Sequence, residues 1–420
     1  MKLSSLLLRS FATAALFLAV SSCSENLDSS GVCAVLCPPV GGDVKNITLD
    51  AVVLDTTVQS LSGLGTEPVL LLASRGDTLE TRVVIRFDSL PATFLPSGDT
   101  ARPITSVDSA YIQLRIDTLN IKGGGPFTIE AYDVDTTAND TSTAAIIALF
   151  RPDRLISSQL LAREELRDTT KYFISNAAVL AKIQSGERLR IGLRVIGLAS
   201  SSEIRIASTE RGAPPVLIFR ATPDTVTRPL TVVPLSETPA DDPIVARALT
   251  DYTVIVTAPP GAPPGVLAVG GLPPRRVYFR FNIPSSIIDS ATVVRATLLL
   301  NQVSNPSIEP TDTVLIVPEL VLAGIAVTDP TKAAQITAEL AGDPVKVRPG
   351  DSGLTNVEVA RAFNVWRSQK PDTLPRAIVL RAVTEGSSPL EIRFSSSEDV
   401  SALRPRLRIS YTSQVPLRIP

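Results

Sequence analysis

The chain reads as an all-β protein of two tandem antiparallel β-sandwich (jelly-roll-like) domains, each with one short helix, and three observations predict this. Two octapeptides, Glu203-Ile-Arg-Ile-Ala-Ser-Thr-Glu210 and Glu391-Ile-Arg-Phe-Ser-Ser-Ser-Glu398, are nearly the same sequence and mark an internal duplication. Short β-branched runs recur along the 420 residues, separated by turn-forming clusters such as Pro96-Ser-Gly-Asp99 and Gly123-Gly-Gly-Pro126. Within the duplicated segments apolar and polar residues alternate, as half-buried strands require.

Taken in order, residues 1–22 read as a signal peptide. Lys2 and Arg9 supply positive charge, and the apolar stretch Phe11 to Val20 is too short to span a bilayer. Val20-Ser21-Ser22-Cys23 resembles a bacterial lipobox, which implies cleavage before Cys23 and lipidation of that residue. Several acyl chains, at ~0.8 kcal/mol per buried CH₂, anchor durably where one would not. The alternative is an ordinary cleaved signal with an incidental cysteine. Ser24 occupies the position where an Asp would signal inner-membrane retention, so the expected destination is the outer membrane or cell surface. Residues 23–45, rich in Ser, Gly, Pro and Val, read as a lipidated tether.

The first domain is expected over 46–222. Its runs Ile47 to Leu54, Val69 to Ala73, Arg82 to Phe87, Ala110 to Ile116 and Phe127 to Tyr132 read as strands, and Ser175 to Gln184 as its helix. The strand Leu189 to Ile196 and the octapeptide follow, with Ile204 and Ile206 on one face and Glu203 and Arg205 on the other. A Pro-, Thr- and Asp-rich passage from Arg220 to Ala246 holds the boundary. The second domain, 223–414, repeats the plan. Arg276 to Asn282 matches Arg82 to Asp88, and Asn356 to Arg367 is the helix, with Val359, Phe363 and Trp366 at helical spacing. Ile392 and Phe394 oppose Glu391 and Arg393, and Leu407, Ile409 and Tyr411 share a face of the last strand before a tail over 415–420.

Composition removes whole classes of chemistry. The chain has no histidine, so neither Ser-His-Asp nor Cys-His catalysis nor imidazole ligation of a metal is available. Cys33 and Cys37 read as a small disulfide loop or as idle tether thiols. Forty basic and 42 acidic residues leave a net charge of −2, which provides no footprint for nucleic acid. No cofactor is expected. Asp133, Asp135 and Asp140 offer hard oxygen donors to Ca²⁺, but Asp, Thr and Asn are also ordinary turn residues.

An early Arg-x-x-x-Arg-Phe-Asp strand, a helix holding a Trp, a Phe-x-Ser-x-Glu strand and a closing Arg-Pro-Arg-Leu-x-Ile-x-Tyr strand together resemble the DNRLRE domain. That family comprises carbohydrate-binding-module-like jelly rolls of bacterial exported proteins. The second copy carries the resemblance through Arg276 to Asn282, Trp366, Phe394-Ser-Ser-Ser-Glu398 and Arg404 to Tyr411. In the first copy Ile206 replaces the Phe, no Trp is present and Ala221 stands in place of Tyr411, and the family's naming hexapeptide is absent. The resemblance implies the fold more than the ligand.

Two readings attach to the repeated polar sets Glu203, Arg205, Glu210 and Glu391, Arg393, Glu398. They form a rim that binds a polyhydroxylated or acidic polymer, or they form cross-strand ion pairs with Arg82, Arg86, Arg276 or Arg280. Trp366 is expected in the core, while Tyr111, Tyr132, Tyr252 and Tyr278 lie in or beside strands with their facing open. The functional expectation is a non-catalytic bacterial envelope lipoprotein that binds carbohydrate or acts in surface adhesion. A structural envelope scaffold or protein-protein interaction module is the alternative, and a polysaccharide-degrading enzyme with paired carboxylates a minor one. The expected partners are the membrane, through the lipid anchor, and polysaccharide or envelope proteins.

Overall fold

In the computed structural model, residues 44–60, 65–96, 100–137, 143–197, 201–221, 228–236, 249–306, 309–368 and 374–413 are described. Cys23, Cys33, Cys37, Asp140, the signal and tether segments up to 43 and the tail over 415–420 lie outside them. A first arm, β1 (Lys45–Leu49) and β2 (Val52–Gln59), precedes the first body. That body contains β3 (Val69–Arg75), β4 (Leu79–Phe87), the short pair β5 (Thr93–Phe94) and β6 (Arg102–Pro103), β7 (Ser109–Arg115), β8 (Phe127–Asp133), β9 (Leu155–Leu161), β10 (Thr169–Phe173), β11 (Leu189–Gly197), β12 (Ser202–Ala207) and β13 (Val216–Arg220). A second arm, β14 (Leu230–Val232) and β15 (Asp251–Thr257), leads into the second body. There follow β16 (Val266–Gly270), β17 (Arg275–Phe281), β18 (Ala291–Val303), β19 (Val314–Val321), β20 (Thr337–Leu340), β21 (Val345–Val347), β22 (Gly353–Glu358), β23 (Ala377–Ala382), β24 (Glu391–Ser395) and β25 (Arg406–Ser413).

The fold is all-β, and every pairing between these named strands is antiparallel. In the first body one sheet runs β12-β3-β4-β11-β8-β9 and a second runs β10-β7-β13-β14. Period-2 alternation sends Leu70, Leu72, Ile85, Phe87, Ile112, Leu114, Leu217 and Phe219 into the space between them, where Ile204 and Ile206 also lie. The second body encloses the matching core, with Ile392, Phe394, Leu407 and Ile409 inside and Tyr411 packed against it. Trp366 is buried there, its ring 5.3 Å from Phe363 and 5.9 Å from Phe281.

Sheet membership divides the chain differently from the composition. β1 pairs with β25 and β2 with β17, so residues 45–59, expected in the first domain from residue 46 onward, complete the second. Reciprocally, β14 pairs with β13 and β15 with β4, so residues up to 257 complete the first domain, and the boundary at 222/223 does not separate the sheets. The two insertions are equivalent in detail. In each body the arm lies against a hairpin whose strands pair only at their turn ends: β3 with β4 over Ala73 to Arg75, β16 with β17 only at Gly270. Thr253 Oγ1 accepts from Leu71 N at 3.0 Å and Thr57 Oγ1 from Ala268 N at 2.9 Å. Asp251 accepts from Thr209 N at 2.9 Å and Asp55 from Ser397 N at 2.6 Å. Thr209 and Ser397 hold the same place in the two octapeptides, so the duplicated sequence is where the arms are fastened.

The long sheets are covered on their outer faces as well. Helix Thr143–Ile147 and arm residues Tyr252 and Val254 lie over Val84 and Tyr132 of the first body. Helix Pro330–Ala333 and arm residue Val58 lie over Tyr278 and Val379 of the second. Each domain therefore has more than the single short helix expected. The two helices read from the sequence form over Asn176–Ser185 and Ala360–Ser368. Ser175 caps the first, its side chain accepting from Ala178 N, and Gly186 ends it in the left-handed region at φ 66°. Asn356, expected in the second helix, lies in β22 instead because that strand pairs with β18 up to Glu358.

Candidate functional site

The first glutamate of each repeated octapeptide, Glu203 and Glu391, is enclosed. Glu203 is 1% exposed, and its carboxylate meets Arg75 at 2.8 Å and Arg205 at 2.9 Å. Arg75 also reaches Glu309 of the second half at 3.0 Å, so this cluster ties the two domains together. In the second copy Glu391 pairs with Arg275 and, at 2.8 Å, with Arg393, which also donates to the Pro260 carbonyl. A void of about 10 Å³ beside Glu391 and Arg275 has room for one water. Glu210 and Glu398 stand apart, exposed at the strand ends. The arrangement is an ion-pair network, but the cations it draws from other strands are Arg75 and Arg275. The four arginines expected in that role act elsewhere: Arg82 bonds Glu80, Arg86 bonds Asp88, Arg276 bonds Glu385 and Arg280 is exposed.

Where the second arm meets the first octapeptide, the buried carboxyls of Glu67 and Asp251 both lie within range of the Glu210 charge. Glu67 Oε2 accepts from Gly65 N and Thr66 N, while Oε1 is buried with no hydrogen-bond partner. Burial pushes the Glu67 carboxyl up to about 7 and that of Asp251 up to about 6, and the nearby Glu210 charge adds to both. Between about pH 4.5 and 7 the folded chain keeps the Glu67 proton that the unfolded chain has released, so stability falls as pH rises through that window. The loss for Glu67 is ~3 kcal/mol at ~1.4 kcal/mol per pKa unit. Urea unfolding at pH 5 and pH 8 should show the drop, and Glu67→Gln should flatten it. An unchanged slope in the variant would remove Glu67 as its source.

Asp133 and Asp135 are occupied by cationic side chains. Lys182 lies 3.2 Å from Asp133, and Arg188 lies 2.8 Å from Asp135. Among the described residues no group of three or more metal-binding side chains forms, and Asp140 lies outside them.

The tyrosines resolve sharply. Tyr132, Tyr252 and Tyr278 are buried, whereas Tyr111 faces outward from the β10-β7-β13-β14 sheet. Antiparallel register sets it opposite Phe173, which is 53% exposed, with the ring centroids 5.7 Å apart. Lys171 Nζ lies 4.9 Å from the Tyr111 centroid, a cation-π contact that steadies the phenol ring. Gln113 and Arg115 continue the same face of β7 at every second residue, over ~13 Å from Tyr111 to Arg115. At Arg115 the face opens into a cleft of about 520 Å³ lined by Asp117, Leu119, Asn120, Asp168 and Arg211. Arg115 bonds Asp168 at 2.9 Å and Thr169 Oγ1 at 2.7 Å, and Leu119 projects almost fully into solvent.

This surface belongs to the first domain alone. The register partner of Ile218, its neighbour on β13, is Tyr111, and the partner of the matching Arg408 on β25 is Thr297. Opposite Thr297 stands Glu358, bonded to Arg295 and Thr297, so no ring occupies that place. Sequence reasoning missed Phe173 and Lys171. The signal was the run Thr169 to Phe173, where Tyr172 is buried and both its neighbours point out.

No family model matches the chain, and no curated protein matches it. Among solved structures it is similar to three of infectious bursal disease virus. They are a VP2 subviral particle (10% identity, 84% of this chain and 78% of that one, TM-score 0.13), the Gt strain (10%, 90% and 81%, 0.12) and a T13 viral particle (11%, 89% and 74%, 0.13). At those scores the likeness carries no argument about fold or function.

Proposed function

We propose that the chain is a non-catalytic bacterial envelope lipoprotein, anchored through Cys23 at the outer membrane or cell surface, that binds carbohydrate on the outward face of its first domain. The observation that carries this reading is the Tyr111–Phe173 pair. Two rings side by side on a sheet face, flanked by Lys171, Gln113 and Arg115, combine an apolar surface for a sugar ring with donors for its hydroxyls. The adjoining cleft lengthens the surface along one strand and suits a polymer better than a single sugar. Glu203, Arg205, Glu391 and Arg393 are not part of this reading, because their charges are spent on one another and on Arg75 and Arg275.

Affinity electrophoresis of residues 44–420 through neutral and acidic polysaccharides, with and without calcium, tests it. One polymer class should retard the chain, and Tyr111→Ala or Phe173→Ala should weaken retention by about tenfold, the scale of a lost aromatic contact. Undiminished retention in both variants would place any binding elsewhere. Absence of retention on every polymer would favour the second reading, a scaffold or protein-interaction module, for which the arm exchange and the ion pairs joining the two domains speak.

A further inference from the structure

We propose that the slot for β2 between β16 and β17 is a strand-binding site whose occupant is exchangeable, and that a second copy of this chain can fill it with its own residues 45–59. The slot recognises an extended segment by backbone ladder, by a Thr hydroxyl for Ala268 N and by a carboxylate for Ser397. Nothing in those contacts depends on which chain donates the strand. In sequence the donor strand is joined through residues 60–68 to β3 of the first body and not to the domain whose slot it fills. The choice between one's own arm and a neighbour's therefore rests on local concentration and not on recognition.

The two arms are held unequally, which singles out the first as the exchangeable one. In β15 the residues Asp251, Tyr252, Thr253 and Val254 are all buried. In β2 only Val58 is buried, and Val53 and Leu54 are 58% and 38% exposed. The same slot geometry thus encloses one occupant and leaves the other at the surface. Reciprocal donation between two copies would satisfy both slots and close as a pair with twofold symmetry.

Leu54 and Arg280 are register partners on adjacent strands, and both are exposed. Substituting each by cysteine places two thiols within reach of a disulfide or a short cross-linker, with Cβ atoms ~5 Å apart. The test uses full chains with Cys23, Cys33 and Cys37 replaced by Ser. One carries Leu54→Cys, another Arg280→Cys and a third both. The double variant should link within one chain. The two single variants, refolded together, should yield a covalent species of twice the mass, and its share should rise about tenfold for about tenfold more protein while dimer is the minor species. A double variant that links internally beside a mixture that never links would show the arm is not shared between copies. A double variant that fails to link, with Trp366 emission still native, would overturn the slot itself.

Discussion

Deleting residues 44–59 should unfold the second domain while the first stays folded. The deletion strips one of the two flanking strands from β25 and the β2 partner from β17, empties the opened β16-β17 hairpin and removes Ala51 and Val58 from the packed clusters. The two hydrogen bonds of Ser397 to the Asp55 carboxylate are worth ~1.5–3 kcal/mol each, so the loss is at least ~3 kcal/mol before any apolar burial is counted. Against a typical domain stability of ~5–15 kcal/mol this leaves the second domain marginal or unfolded. The chain carries its own reporter, because its one tryptophan, Trp366, lies in the second core. Trp366 fluorescence should show an early or already completed transition in urea, while far-ultraviolet circular dichroism retains a second transition from the first domain. Trp366 and dichroism transitions that coincide with those of the intact chain would show that the arm contributes nothing to the second domain.

Asp88→Ala should produce the opposite selectivity, destabilising the first domain by ~3–5 kcal/mol, the scale of breaking a buried ion pair from one side. Asp88 sits between two buried guanidinium groups, Arg86 at 2.6 Å and Arg190 at 3.2 Å. Burial raises its carboxyl, but the hydrogen bonds and charges of both arginines outweigh that and hold it below the usual carboxylate range. Without the carboxylate, two cations remain in a site with little water to solvate them. In urea unfolding followed by dichroism the first domain's contribution should move to lower denaturant while the Trp366 transition moves less. Asp88→Asn, which keeps the shape and one acceptor, should fall between. A change under ~1 kcal/mol for Asp88→Ala would mean that water reaches Arg86 and Arg190 after all.

The parts of the fold legible in the residues were those governed by local periodicity. Ile204 and Ile206, Ile392 and Phe394, and Leu407 and Ile409 point inward as their alternation required, and Ser175 caps the helix it precedes. Trp366 is core, as its spacing with Val359 and Phe363 indicated. The candidate site was legible only in fragments. Tyr111 was among four tyrosines of open facing, and Phe173 acquired meaning only when register set it beside Tyr111.

Taken alone, the sequence determined that the chain is a duplicated all-β protein, which faces its strands bury and which chemistries a chain without histidine lacks. Tertiary structure decided which strand lies beside which. A period of two says which face of a strand is apolar but carries no record of its neighbour. Hence β2 and β15 could be read as the opening strands of their own domains and yet complete each other's. The polar faces were decided the same way. Glu203 and Glu391 alternate like solvent-facing residues, but strands of their own sheets close over them and supply Arg75 and Arg275.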